Sequence, residues 1–241
     1  AECEVVSIIA PTATDNCGGV ITGTTTDPLS YNTQGTHVIN WSFDDGNGNV
    51  TTETQNVIID DVTAPVADVA TLADVTAECE VVSITAPTAT DNCEGAITGT
   101  TDATFPITAQ GTTVVTWTYD DGNGNTSTQT QSVVINDVTA PVADVATLAD
   151  VTAECEVVSI TAPTATDNCG ATITGTTTDP LTYNTQGTHV ITWSFDDGNG
   201  NVATETQNVV INDVTAPVAD VATLADVTAE CEVASITAPT A

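Results

Sequence analysis

The segment GTTVVTWTYDDGNGN occupies residues 111–125, and close copies of it occupy residues 35–49 and 187–201. Their tryptophans lie 76 residues apart (117 minus 41 and 193 minus 117), at Trp41, Trp117 and Trp193. Four cysteines keep the same interval, at Cys3, Cys79, Cys155 and Cys231. A fixed period of this length is typical of tandem repeats. The chain therefore consists of small domains in series, each of which must bury its own core.

The repeated segment reads as a β-strand that ends in a tight turn. Val115, Trp117 and Tyr119 alternate with threonines, which predicts a strand whose apolar side chains point inward. Elsewhere in the repeat, short runs rich in Val, Ile and Thr alternate with Gly, Pro, Asp and Asn, and no helical period is sustained. The pattern predicts an all-β fold of tandem immunoglobulin-like β-sandwich domains, which we expect to form an elongated rod.

Domain boundaries are predicted where a proline follows a polar pair at the end of a strand run, as in DDVTAPVADV at residues 60–69. This phasing predicts four segments. They are a repeat that lacks its first strand at residues 1–60, complete repeats at 61–136 and 137–212, and the N-terminal part of a further repeat at 213–241. Because the chain starts and stops inside a repeat, we interpret it as part of a longer array.

The charge of the chain restricts its partners. It has 33 acidic residues, no lysine and no arginine, and a formal net charge of -33. Without basic side chains, binding to nucleic acid or to an anionic lipid surface is disfavoured. No apolar run long enough to cross a membrane is present, so we expect no direct membrane insertion. The carboxylates must be neutralised by screening or by bound cations, and clustered carboxylates favour a divalent metal.

Seven cysteines recur as an AEC motif followed fourteen residues later by a DNC motif. Without a nearby histidine pair, a disulfide fits this spacing better than a zinc site. The predicted disulfides join the two cysteines of each repeat: Cys3–Cys17, Cys79–Cys93 and Cys155–Cys169. We expect the partner of Cys231 to lie beyond the last residue. Disulfides persist in oxidising compartments, so the sequence predicts an extracellular protein.

Four motifs together resemble a known family. They are D-x-T-A-P, P-T-A-x-D-N, G-T-x-V-x-W-x-x-D-D-G-x-G-N and a closing V-x-I-x-D, and they resemble the hyalin-repeat (HYR) type of immunoglobulin-like module. The connecting phrase TAPVADVATLADVTAECEV is similar to that of giant bacterial cell-surface adhesins of the gliding-motility SprB type. This second resemblance implies export by type IX secretion and a long filament on the bacterial cell surface.

The repeats argue against catalysis. His37 and His189 align with Thr113 in the middle copy, and a general base would not be dispensable in one copy of three. The recurring serines have no histidine at a fixed spacing, so a catalytic triad has no support. We therefore expect that the chain is not an enzyme.

The DDGNGN loop has two interpretations. Asp-Gly and Asn-Gly steps are favoured in tight hairpin turns. The additional carboxylate and the second Asn-Gly step instead suggest oxygen ligands for calcium, although the EF-hand pattern is absent. In an immunoglobulin-like sandwich the last hairpin loop, the loop after the second strand and the incoming linker meet at one pole, which favours calcium at that pole. The predicted ligand residues are Asp15, Asn16, Asp44, Asp45, Asn47, Asn49, Asp60, Asp61, Asp91, Asn92, Asp120, Asp121, Asn123, Asn125, Asp137, Asp167, Asn168, Asp196, Asp197, Asn199, Asn201 and Asp213.

These observations predict a mechanical function. We expect a stalk of repeats that projects an adhesive element from a cell surface, with neighbouring repeats of the same chain as the main partners. Two alternatives stay open: lateral self-assembly of copies into a filament or sheath, and direct binding of surface polysaccharide by the repeats.

Overall fold

The computed structural model describes residues 1–17 and 19–240. The chain divides into two compact units, one ending at Asn136 and the other starting at Asp137. All regular secondary structure in the described residues is β-strand, so they contain no helix long and apolar enough to cross a membrane. This confirms the predicted all-β class.

Residues 61–136 form two sheets of three strands each. One sheet has the order β5-β7-β8 and is antiparallel; its strands are β5 (Val66–Ala67), β7 (Thr88–Asp91) and β8 (Gly95–Thr98). The other has the order β6-β10-β9; its strands are β6 (Val75–Ala77), β10 (Thr126–Ile135) and β9 (Gly111–Asp120). In this second sheet β6 runs parallel to β10, and β10 pairs with β9 as a ten-residue antiparallel hairpin.

Residues 137–212 repeat this arrangement. The first sheet has the order β11-β13-β14, with β11 (Val142–Ala143), β13 (Thr164–Thr166) and β14 (Thr172–Thr174). The second has the order β12-β16-β15, with β12 (Val151–Ala153), β16 (Val202–Ile211) and β15 (Gly187–Asp196). The recurrence of strand order and register follows from the close similarity of the two sequences.

Residues 1–60 contain the hairpins without the two short leading strands. β1 (Thr12–Asp15) pairs with β2 (Gly19–Thr22), and β3 (Gly35–Asp44) pairs with β4 (Val50–Ile59). Each sheet therefore has two strands where the later repeats have three.

The core of each repeat lies on the inner face of the long hairpin, as the alternation predicted. Val115, Trp117 and Tyr119 are buried in the second repeat, and Trp193 and Phe195 are buried in the third. Each buried indole donates its Nε1–H to a glutamine Oε1 on the paired strand, at 2.9–3.1 Å. These bonds satisfy a polar group that would be costly to bury without a partner.

The predicted disulfides within repeats are wrong. Cys3 of the first repeat is bonded to Cys93 of the second, with a Cα–Cα distance of 4.9 Å, which excludes both Cys3–Cys17 and Cys79–Cys93. Cys17 and Cys155 are free and exposed, which excludes Cys155–Cys169 as well. Cys231 is also free and exposed, and its predicted partner stays a prediction.

The two cysteine motifs lie at opposite ends of a repeat, which explains the error. The AEC motif follows β6, whose parallel partner β10 leaves the repeat; there the amide of Asn136 donates to the carbonyl of Ala77. The DNC motif follows β7 and lies beside Asp61, where the chain enters the repeat. We call these ends the exit pole and the entry pole. Cys3 at the exit pole of the first repeat therefore reaches Cys93 at the entry pole of the second.

Candidate functional site

The DDGNGN loop of the second repeat is a turn that closes on itself. Asp120 Oδ1 accepts a hydrogen bond from the Gly122 amide at 2.8 Å. Asp121 Oδ1 accepts the amides of Asn123 and Asn125 at 2.8 and 3.1 Å. Gly122 and Gly124 have φ values of 81° and 107°, a region that glycine adopts without steric cost. The turn interpretation therefore accounts for most of the polar groups in the loop.

The second asparagine of the loop acts as a donor. Asn125 Nδ2 donates to Asp121 Oδ2 at 2.7 Å and to the Asp61 carbonyl at 3.0 Å. Burial alone would raise the pKa of Asp121, but the hydrogen bonds from Asn125 and the loop amides outweigh it, so the pKa lies below its usual value. Asp121 is thus an ionised group whose two oxygens are both used within the turn.

A different pair of carboxylates, Asp61 and Asp91, is buried at the entry pole. Asp61 and Asp91 are each only 4% exposed. Asp61 Oδ1 accepts the Thr63 amide at 3.1 Å, and Asp61 Oδ2 has a long contact of 3.4 Å with Asn123 Nδ2.

Asp91 has one bonded and one unbonded oxygen. Asp91 Oδ1 accepts the amides of Cys93 and Glu94 at 2.8 and 3.0 Å, whereas Asp91 Oδ2 is buried and accepts no hydrogen bond. One ligand atom from each of Asp61, Asp91 and Cys93 lies within 4.8 Å of the other two. Asp91, which carries the unbonded oxygen, therefore belongs to a group of side chains compact enough to surround one ion.

The third repeat builds the same group from Asp137, Asp167 and Cys169. Asp137 and Asp167 are 4% and 5% exposed. Asp167 Oδ2 accepts the Cys169 amide at 2.8 Å, and Asp167 Oδ1 is buried without a hydrogen bond. Asn199 Nδ2 donates to Asp137 Oδ2 at 3.1 Å. The unbonded oxygen thus recurs at the corresponding aspartate of two repeats.

The electrostatics of this group favour a hard cation. A buried carboxylate oxygen without a donor is costly, and the chain has no lysine or arginine that could neutralise it. Carboxylate oxygens are the preferred ligands of calcium. The sulfur of Cys93 is bonded to Cys3, so it is not a thiolate and adds no soft ligand.

The remaining predicted ligand residues lie outside these two groups. Asp45 forms the same closed turn in the first repeat, and its pKa is lowered chiefly by the hydrogen bond from the Asn49 side chain. Asp197 repeats the role of Asp121, and Asp15 accepts the Cys17 amide at 2.9 Å. Asn201 donates to the Asp137 carbonyl and to Asp197. The exposed members are Asn16, Asp44, Asn47, Asn49, Asp60, Asn92, Asp120, Asn168, Asp196 and Asp213.

Sequence reasoning missed Glu2, which joins the first repeat to the second. Glu2 Oε2 accepts hydrogen bonds from Thr63 Oγ1 at 3.0 Å and from Asn92 Nδ2 at 2.8 Å. Gln34 completes the contact, because its Oε1 accepts the Asp61 amide at 2.9 Å and its Nε2 donates to the Glu2 carbonyl at 2.9 Å. A glutamate precedes the first cysteine in every copy, and that regularity was the available signal.

Comparison with known sequences identifies the repeats. The family model of the HYR-like domain with 4 cysteines matches residues 63–135 and 139–211, each of which holds two cysteines. The chain is 37% identical over 233 residues to hyalin from Strongylocentrotus purpuratus and 38% identical over 236 residues to hyalin from Lytechinus variegatus. Each match covers 88% of the chain, but only 19% and 44% of the respective hyalin, so the chain spans less than half of either relative.

Solved cadherin structures align over much of the chain with low scores. Mouse cadherin-23 EC22-24 is 12% identical with a TM-score of 0.31, covering 88% of this chain and 93% of that one. Drosophila N-cadherin EC1-4 is 10% identical with a TM-score of 0.31, covering 88% and 66%. Similarity at this level does not indicate a shared function.

The relatives support one expectation and leave another without support. Both hyalins come from sea urchins, so they give no support to the resemblance to a bacterial gliding adhesin. The hyalin relatives and the disulfide support an extracellular location. Because the family model matches more than half of the 241 residues, the chain belongs to the family of HYR-like domains with four cysteines.

Proposed function

We propose that the chain is a load-bearing series of extracellular repeats that connects an adhesive element to the structure from which it projects, without catalytic activity. The observation that carries this proposal is the Cys3–Cys93 disulfide, which joins two successive repeats covalently. Tension along the chain then passes through a covalent bond at this junction, and the intervening residues are shielded from it.

The contacts around the disulfide support the same function. Glu2 and Gln34 of the first repeat hold Asp61, Thr63 and Asn92 of the second by hydrogen bonds of 2.8–3.0 Å. A junction fixed by both a disulfide and side-chain hydrogen bonds resists bending better than a flexible linker does. Fixed geometry between neighbours is what a spacer requires.

Stretching single molecules tests this proposal. The chain carrying C17S, C155S and C231S, which removes the free thiols, is pulled from its two ends and compared with the same chain carrying C3S/C93S. The disulfide encloses a separation of 90 residues, so its removal is expected to release up to about 300 Å of additional contour length. Equal contour lengths in the two chains would show that this bond carries no load.

The alternatives concern what the repeats bind. Lateral assembly would place copies of the chain side by side, and exposed threonines of the β9 strand offer hydroxyls to a polysaccharide. Electron microscopy of the full chain distinguishes lateral assembly from the proposed spacer. The spacer is expected to give single thin particles, whereas lateral assembly is expected to give bundles. Binding on a glycan array would favour the second.

A narrower form of the proposal is a bacterial gliding adhesin exported by type IX secretion. It rests only on the connecting phrase, which occupies, for example, residues 139–157. Its test is labelling of intact source cells with an antibody against the chain: surface filaments on gliding bacteria would support it, and labelling of an animal extracellular matrix would reject it.

We further propose that the entry poles of the second and third repeats bind calcium. The unbonded oxygens of Asp91 and Asp167 carry this proposal, because each lies in a group with a second buried aspartate. Calcium would be held by Asp61 and Asp91, and by Asp137 and Asp167, with the adjacent asparagine oxygens available on rotation of the amide.

Isothermal titration of the oxidised full chain with calcium tests this second proposal. Two ions per chain are expected in the wild type and one in D91N. The matched control is E94Q, which removes the same charge from an exposed side chain of the same turn and should retain two. Absence of binding at millimolar calcium would reject the proposal.

A further inference from the structure

We propose that reduction of the Cys3–Cys93 disulfide converts the entry pole of the second repeat into a site for a thiophilic divalent cation such as Zn²⁺. The four ligands are the sulfurs of Cys3 and Cys93 and the carboxylates of Asp61 and Asp91. This inference does not depend on calcium binding, because it concerns the reduced chain.

The geometry supplies the ligands with little rearrangement. Donor atoms of Asp61, Asp91 and Cys93 lie within 4.8 Å of one another, and Cys3 Sγ is bonded to Cys93 Sγ. Zinc binds sulfur at about 2.3 Å and carboxylate oxygen at about 2.0–2.2 Å, so two donors of one tetrahedral ion lie about 3.3–3.8 Å apart. Side-chain movements of about 1 Å, together with separation of the two sulfurs, would bring four donors around one ion.

Asp91 distinguishes this site from an ordinary pair of thiols. Its Oδ2 is buried and accepts no hydrogen bond, so ligation replaces no existing interaction. Its Oδ1 accepts the Cys93 amide and thereby holds the sulfur on the same side of the turn. Two thiolates and two carboxylates form the tetrahedral sulfur and oxygen set that zinc accepts, whereas the oxidised pole offers only hard oxygens.

The chemistry balances with a trialkylphosphine as reductant. The phosphine attacks one sulfur and breaks the S–S bond, and its electron pair reduces the disulfide. Water supplies the oxygen of the phosphine oxide and the two protons of the thiols. Metal binding then releases these two protons, and each sulfur donates an electron pair to the ion.

Titration of the reduced chain with Cd²⁺, a spectroscopic substitute for Zn²⁺, tests the inference. The C17S/C155S/C231S chain is reduced with phosphine, and the ultraviolet thiolate-to-cadmium charge-transfer band is followed. One fewer Cd²⁺ is expected to bind in D91N and in C3S/C93S than in the parent, and E94Q is expected to match the parent. A large excess of Zn²⁺ should displace the bound Cd²⁺, because thiolates bind the softer Cd²⁺ more tightly than Zn²⁺.

Circular dichroism of the same samples shows whether the reduced chain is still folded when the metal binds. The β-sheet signal should persist on reduction, or should return when Cd²⁺ is added. Three results would overturn the inference: no band in the reduced parent, equal bands in D91N and E94Q, or an equal affinity in urea, which would identify adventitious binding to the thiols.

Discussion

At the scale of single residues, the aspartates of each repeat differ in what their oxygens accept. Asp121 has both oxygens bonded within its own turn, whereas Asp91 has one oxygen without a donor. The two residues look equivalent in the sequence, since each lies in a short polar turn after a strand. The difference arises because Asn125 folds back onto Asp121, while no amide reaches Asp91 Oδ2.

Glu205 is a second residue with unbonded oxygens. Both its Oε1 and Oε2 atoms are buried without a hydrogen bond. In the second repeat the corresponding residue is Gln129, whose Oε1 accepts the Tyr119 hydroxyl at 2.8 Å and whose Nε2 donates to the Val69 carbonyl at 2.7 Å. In the third repeat Phe195 replaces the tyrosine, so the hydroxyl donor is missing. Glu205 has no amide group, so it cannot donate a hydrogen bond as Gln129 does.

Glu205→Gln is therefore expected to stabilise the third repeat by about 1–3 kcal/mol, because it supplies a donor and removes a buried charge. Gln129→Glu should destabilise the second repeat. The free energies of unfolding are measured by chemical denaturation. The control is Glu53→Gln at the exposed counterpart in the first repeat, which should change little; an equal gain there would indicate a general charge effect.

At the scale of elements, a side-chain clamp joins an outer strand of a sheet to the central strand. The hydroxyls of Thr88 and Thr90 on β7 donate to the carboxylate of Asp68, which directly follows β5. Asp144 has the same bonds from Thr164 and Thr166. β5 and β11 are only two residues long, so the clamp adds contacts that their short ladders lack.

The clamp makes a prediction about pH. Hydrogen bonds from Thr88 and Thr90 hold the pKa of Asp68 below its usual value. The unfolded chain then binds the proton more strongly, so this stabilisation is complete above pH of about 4 and decreases as pH falls towards the lower folded pKa. Carboxyl-carbon NMR should show the pKa of Asp68 rising in T88V/T90V.

Asp144 in the same sample is the internal control, since its own threonine partners are intact. T128V, on an exposed position of β10, controls for the threonine-to-valine change itself. An unaltered pKa of Asp68 in T88V/T90V would contradict the role of the clamp.

At the scale of the whole molecule, the disulfide pattern sets how repeats are connected. The Cys3–Cys93 disulfide closes a loop with a sequence separation of 90 residues. The predicted disulfides, such as Cys3–Cys17, would each have closed a short loop within one repeat. The bond therefore stabilises a junction and leaves the core of each repeat to the tryptophan and its apolar neighbours.

Removal of this bond in C3S/C93S is expected to destabilise the unit formed by residues 1–136 by about 4.6 kcal/mol, according to the chain-entropy model for a loop of this length. Amide hydrogen exchange should increase first at the junction residues Asp61, Thr63 and Asn92. C17S is the control, because Cys17 is free and exposed. Unchanged exchange at the junction would mean that the hydrogen bonds from Glu2 and Gln34 suffice.

The sequence by itself determined the period, the β class and the buried face of the long hairpin. These features follow from local alternation and from repetition, which need no knowledge of distant contacts. The sequence also predicted that the linker, the DNC turn and the last hairpin meet at one pole. In the structure, Asp61, Asp91 and Asn123 lie together there.

Only the tertiary structure decided which cysteine pairs with which and which carboxylate oxygen lacks a donor. Pairing depends on the two cysteine motifs lying at opposite poles, and this separation is set by the parallel pairing of β6 with β10. Whether a carboxylate oxygen has a donor depends on the orientation of neighbouring side chains, since Asn125 donates from its Nδ2 to Asp121 and to the Asp61 carbonyl. Spacing along a chain specifies neither, because both are properties of atoms brought together from residues far apart in sequence.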